Sequence, residues 1–258
     1  MKCTLRLTMV AASIATLSCF GTGMTPTAAA DIQEYSSNYK VSVRGFPVGE
    51  FVIAGRTDGN SYAASAVVVA TGVLSWFTDI KVRGKARGWV GSDQLLPYRY
   101  QGELYRGGKT TTYAVNFADG RVESAVTDPP DETAVDLSSD ELSNAIDPLT
   151  ILFRTFMPAE RSKICVGSYD IFDGKRFYSF VFEPGPETEL QLSCTGRYFL
   201  HQGFEDNEFA DENPVVNMVY QRETDGNLYT LKTAAAKARV GVVSIERLTG
   251  TDQRGEEG

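Results

Sequence analysis

Four Asp-Gly pairs punctuate the chain, at Asp58-Gly59, Asp119-Gly120, Asp173-Gly174 and Asp225-Gly226, each between runs of alternating apolar and polar residues. A tight hairpin turn needs positive φ, which Gly adopts freely and Asp tolerates, so the pairs predict antiparallel hairpins along most of the chain. The intervening runs have the period of half-buried strands: Tyr39, Val41 and Val43 alternate with Lys40, Ser42 and Arg44. The sharpest run places Lys81, Arg83, Lys85 and Arg87 on one face, and Val82, Gly84, Ala86 and Gly88 on the other. Small residues on the inward face suit a bend or a close backbone approach. Phe177, Tyr178, Phe180, Val181 and Phe182 are nearly continuous, as in a strand buried on both faces. The turn before them, at Asp173-Gly174, is expected to be a two-residue one.

The period changes once. Asp147 is a natural N-cap, Pro148 suits the first helical position, and Leu149, Leu152, Phe153 and Phe156 share one helical face. This predicts one short amphipathic helix packed onto a curved sheet. Ser138 with Glu141 has the pattern of a capping box for a separate helical turn. The expected fold is mainly β: a single antiparallel, strongly curved sheet of about eleven or twelve strands with that one helix.

The amino end reads as a secretory signal peptide. Lys2 and Arg6 precede an apolar stretch from Leu7 to Phe20, and Ala28-Ala29-Ala30 supplies small residues for cleavage after Ala30. A retained anchor is the first alternative, although the apolar run is about 14 residues where a span needs roughly 20. A lipid-modified Cys19 is the second, but Thr16-Leu17-Ser18 before it is a poor recognition sequence. The domain division expected is a leader at 1–30, one β domain at 31–248 and a disordered tail at 249–258. Removing the leader takes two basic residues and no acidic ones, leaving 23 basic against 33 acidic and a charge of −10. Such a balance argues against nonspecific binding to nucleic acid or anionic membrane. No later segment is long or apolar enough to cross a bilayer as a helix.

Two cysteines remain after cleavage, Cys165 and Cys194. An even count in an exported chain favours a disulfide, which would staple the Asp173-Gly174 hairpin to the next strand. Two buried free thiols are the alternative. One histidine and two separated cysteines do not make a zinc set, so no metal and no cofactor are expected.

The order of several landmarks resembles a bacterial exported family, domain-of-unknown-function family 3108. The matching pieces are Tyr39-Lys40-Val41, Pro47-Val48-Gly49-Glu50, Thr71-Gly72-Val73-Leu74, a basic strand ending in Gly88, Leu96-Pro97, Asp147-Pro148-Leu149-Thr150 and Phe172-Asp173-Gly174-Lys175-Arg176. The resemblance covers roughly residues 36–248. It implies a β-spiral or open barrel, similar in shape to envelope proteins of the lipoprotein-carrier type. It also implies a Gram-negative periplasm and a lipid or lipoprotein partner, and it brings no catalytic residues. Such an implication rests on fold analogy and not on a site.

His201 is the sole histidine, and no Gly-x-Ser-x-Gly elbow accompanies it. Glu205, Asp206, Glu208, Asp211 and Glu212 lack the spacing of a calcium loop and read as a solvated turn. Lys81, Arg83, Lys85 and Arg87 form either a solvated face, with Glu103 or Asp93 as partners, or an anion-recognising strip. Trp76, Phe77, Tyr98, Tyr100, Leu149, Leu152, Phe153 and Phe156 are candidates to line an apolar cleft; Tyr113, Phe180 and Phe182 are further aromatic candidates. The expectation is a non-enzymatic periplasmic envelope protein that binds an apolar ligand or a lipoprotein partner. The alternative is a structural envelope component with a filled core that acts through protein–protein contacts.

Overall fold

The computed structural model describes residues 32–71, 80–92, 94–130, 135, 142–204, 213–224 and 226–248. The leader, Trp76 and Phe77, Asp93, the Ser138/Glu141 capping box, the acidic run at 205–212, Asp225 and the tail from 249 lie outside the described residues.

Seven strands precede the helix: β1 (Gln33–Val43), β2 (Phe46–Thr57), β3 (Ser61–Ala70), β4 (Ile80–Val90), β5 (Leu95–Arg106), β6 (Lys109–Ala118) and β7 (Arg121–Asp128). After α1 (Pro148–Phe156) come β8 (Ala159–Glu160), β9 (Ser168–Phe172), β10 (Phe177–Glu187), β11 (Gln191–Gln202), β12 (Val215–Arg222), β13 (Leu228–Ala238) and β14 (Gly241–Arg247). All fourteen belong to one antiparallel sheet in the order β7-β6-β5-β4-β3-β2-β1-β14-β13-β12-β11-β10-β9, with β8 beside β13. The first and last strands therefore pair mid-sheet, Val41 opposite Ile245. The sheet is not closed into a barrel, because β7 and β9 do not pair. The segment before α1 spans that gap at one point: Ser143 bridges Arg121, and Ile146 bridges Ile171 in parallel.

The three described Asp-Gly turns follow the expected chemistry in two different ways. Asp119 and Gly120 both take positive φ (50° and 72°) and close a two-residue hairpin. At Asp58 and Asp173 the carboxylate caps the turn. Asp58 Oδ1 accepts from the amides of Asn60 and Ser61, and Asp173 Oδ1 from those of Lys175 and Arg176. The Asp173 turn therefore runs over four residues, 173–176, rather than the expected two. Strand β9 starts only at Ser168, three residues after Cys165. Arg161–Lys163 form a 3-10 turn, and Cys165 (φ 59°) and Gly167 (φ 100°) break the extended backbone. In β10, Ser179 and Val181 alternate with buried Phe180 and Phe182 and are half-exposed, so the strand is not buried on both faces as its aromatic run suggested.

The core lies on the concave side, around α1. Phe156 meets Tyr39 and Phe51 edge-on, with ring centroids 4.9 and 5.1 Å away. Phe153 stacks on Tyr62 and occupies the space over Gly55, where a Cβ would come within 2.3 Å of its ring. The helix is buried on most of its faces, not on one stripe: Leu149, Thr150, Ile151, Phe153, Thr155 and Phe156 are all covered. A hydroxyl from each arm of the sheet pins it. Tyr62 bonds Thr150 Oγ1 at 2.6 Å near its start, and Tyr220 donates to the Thr155 carbonyl at 3.2 Å near its end. Cys165 and Cys194 form a disulfide with Cα atoms 5.7 Å apart, tying the approach to β9 onto β11 across the expected hairpin.

Candidate functional site

Two apolar clefts flank α1 inside the curved sheet. One, of about 340 Å³, lies against β2–β6 and is walled by Val68, Val82, Leu104, Tyr113 and Leu149. The other, of about 200 Å³, lies against β9–β14 and is walled by Ile171, Phe180, Val216, Met218 and Leu231. They share Pro148, Leu152 and Tyr178. Leu152 is the one apolar helix residue left exposed, at 36 %, which marks where the helix surface faces open space rather than packed strand. The lining of the first cleft also includes Arg83, Glu103, Asp173 and Arg176. Of these, Arg83 bonds Glu103 at 3.3 Å and Arg176 bonds Asp173 at 3.3 Å, so charge in the lining is balanced in pairs.

Burial raises the pKa of the phenols of Tyr100 and Tyr178 above the ordinary tyrosine value, and they stay neutral. Apart from those two ion pairs, the walls are thus apolar or uncharged polar. Beneath them lies one buried acid. Asp147 is fully enclosed and caps α1, accepting from the Thr150 amide at 2.9 Å and the Thr150 hydroxyl at 2.5 Å. Burial pushes its carboxyl up to about 6, and the Thr150 hydrogen bonds oppose that shift.

The expected cleft residues separate into three groups. Leu149, Leu152, Tyr100 and Phe156 do line a cleft, together with Tyr113 and Phe180. Phe153 does not, because it is spent on Tyr62 and Gly55. Tyr98 does not either. A bulge between Arg87 and Gly88 shifts the register of β5, and Tyr98 packs against Trp89 with centroids 5.4 Å apart. Val68, Val82 and Leu104 were missed; their inward parity on β3, β4 and β5 was the available signal.

The basic strip is on the opposite, outer face. Arg83 pairs with Glu103 across β4 and β5, as expected. Lys85 and Arg87 have no carboxylate partner among the described residues.

His201 has neighbours that spacing could not show. Ser179 Oγ lies 2.6 Å from Asp170 Oδ1 and 2.7 Å from His201 Nε2. The register sets Asp170 opposite Ser179, and His201 is the extra residue of a β11 bulge facing Phe177 and Tyr178, which brings it alongside. The serine donates its single proton to Asp170, so His201 must donate to the serine instead of accepting from it. A nucleophile triad has the carboxylate on the far imidazole nitrogen and the serine proton on the near one. This arrangement has the serine in the middle and is a different device. No group of three or more His, Cys, Asp or Glu side chains able to hold a metal occurs among the described residues.

A family model described as Protein of unknown function (DUF3108) matches residues 38–191. The chain belongs to this family. The match runs from within β1 to the first residue of β11, so it takes in α1, the Asp147 cap and both the Asp119 and Asp173 turns. Strands β12–β14 complete the same sheet beyond it. No curated protein and no solved structure matches the chain. No described helix is long and apolar enough to cross a membrane.

Proposed function

We propose that this DUF3108 protein is an exported, non-enzymatic protein of the periplasm that holds an apolar, lipid-like ligand, free or borne by a lipoprotein, beside α1. The observation that carries the reading is the pair of mainly apolar clefts meeting at Leu152 and Tyr178, in which the charged lining residues are paired with one another. At about 30 Å³ per water-sized group, the larger cleft takes on the order of ten methylenes. Their burial contributes on the order of 8 kcal/mol, against which stands the lost freedom of the ligand. The balance supports reversible binding, as in a carrier. Export rests on the leader pattern and agrees with the Cys165–Cys194 bridge, which persists in oxidising compartments.

The test uses N-phenyl-1-naphthylamine as a fluorescent probe and palmitate as competitor. Leu152→Trp fills the space where the clefts meet and is expected to weaken probe binding at least tenfold while leaving the fold intact. Unchanged affinity refutes the site. One observation favours a scaffolding role instead: Phe153, Phe156 and Leu149 are 4 % exposed or less, so much of the concave side is filled. Native mass spectrometry after gentle purification separates the readings. Copurified lipid supports the ligand carrier, and a lipid-free mass with a bound protein supports the scaffold.

A further inference from the structure

We propose that the outer face of β2–β5 docks the protein onto an anionic lipid surface. This goes beyond the apolar cleft, which lies on the other face of the same strands. The pairing registers set Arg56 beside Ala63, Arg87 and Arg99 in one outward row, and Ala54 beside Ser65, Lys85 and Gln101 in the next. Four cations with no salt bridge among the described residues, Arg56, Lys85, Arg87 and Arg99, therefore stand within roughly 15 Å of one another, although Arg56 has Glu34 of β1 directly opposite. Arg87 and Arg99 are directly opposite, an arrangement that costs stability unless an anion comes between them.

The relief of this face suits headgroups. Arg83, Lys85 and Arg87 form a ridge along β4 with an open groove on each side, of about 600 and 420 Å³. The larger is lined by Ala54, Ala63 and Ser65, with Arg56 across from Lys85 and Arg87. Glu34 also lines it, and Glu103 is engaged by Arg83, so the face keeps an excess of positive charge. Next along β4, on the same face as Arg87, stands Trp89, 57 % exposed, against Tyr98. A tryptophan–tyrosine pair beside basic groups is the composition that settles at a membrane–water boundary.

The net charge of −10 left once the leader is removed opposes this docking, yet it does not decide it. At physiological ionic strength charges more than about 8 Å from a surface are screened, so the acids of the other arm count for little and the facing row counts for most.

The test is sedimentation of the leader-free chain, from Asp31 onward, with vesicles of phosphatidylcholine alone, or with about a third phosphatidylglycerol. The parent is expected to bind the anionic vesicles preferentially, and to lose that preference in high salt. Lys85→Gln with Arg87→Gln removes two facing cations and should weaken the anionic binding roughly thirty-fold. Arg99→Gln, which relieves a like-charge pair and so keeps the fold, should weaken it several-fold. Trp89→Ser should weaken binding further at a given charge. The Lys85/Arg87 double variant should bind the naphthylamine probe as the parent does, which separates this proposal from the cleft. Equal vesicle binding by parent and variants overturns it, as does the absence of any preference for anionic vesicles. Capture of polyglutamate that vesicles do not displace would assign the face to an acidic protein and overturn it as well.

Discussion

The enclosed carboxyl of Asp147 makes a prediction whose sign is opposite to that of most acidic groups. Its folded pKa, about 6, stands above the ordinary 3.8 because burial disfavours the charge. Between those values the folded chain keeps the proton and the unfolded chain releases it. Stability from this group is therefore fully present below pH 4 and is lost as pH rises through about 6. Two pH units correspond to about 3 kcal/mol. Asp147→Asn removes the titration and keeps the cap, since the amide oxygen still accepts from the Thr150 amide. The amide nitrogen then donates to Thr150 Oγ1, which reverses the hydrogen-bond chain towards Tyr62 and leaves the Tyr62 phenol proton unpartnered. That costs about 1 kcal/mol at every pH. The informative quantity is thus the slope and not the offset. Urea unfolding at pH 4 and pH 7.5 should show the variant gaining about 2.5 kcal/mol on the parent over that interval. Parallel stability profiles would refute the reasoning and mean that water reaches the carboxylate.

Two further perturbations test the packing. Gly55→Ala drives a methyl to within 2.3 Å of the Phe153 ring and 2.9 Å of the Ala63 carbonyl, and should cost about 1–3 kcal/mol in urea unfolding; a neutral result would mean that the helix is free to shift. Reducing the Cys165–Cys194 bridge, whose partners are 29 residues apart, should cost about 3.5 kcal/mol on the chain-entropy model. For a domain of this size that lowers the melting temperature by roughly 10 °C, and identical scans with and without reductant would count against it.

What the sequence disclosed was local. Period-two runs located the strands to within a few residues, and Asp147-Pro148 placed the helix start. The cysteine count gave the bridge. The pairing of β1 with β14 had no local code, because strands at the two extremes of the chain carry no signal naming each other. The same limit hid the Asp170–Ser179–His201 cluster, which depends on a register and a bulge. Aromatic content alone could not say which rings fill space and which border it. Phe153 became core because Gly55 lies across from it, and Tyr98 left the cleft because β5 bulges beside Arg87. Helical spacing suggested one apolar stripe, but a sheet wrapped around the helix buries the other sides too.

The meeting of β1 and β14 also orders how the molecule can assemble. Every other neighbouring pair in the main strand order from β1 to β7 and from β9 to β14 is consecutive along the chain, so two meanders can zip locally and early. Only the join between them waits for β14. Until then β1 and β13 each offer a bare row of amides and carbonyls to any passing chain, and a protein truncated before Gly241 would keep both rows open for good.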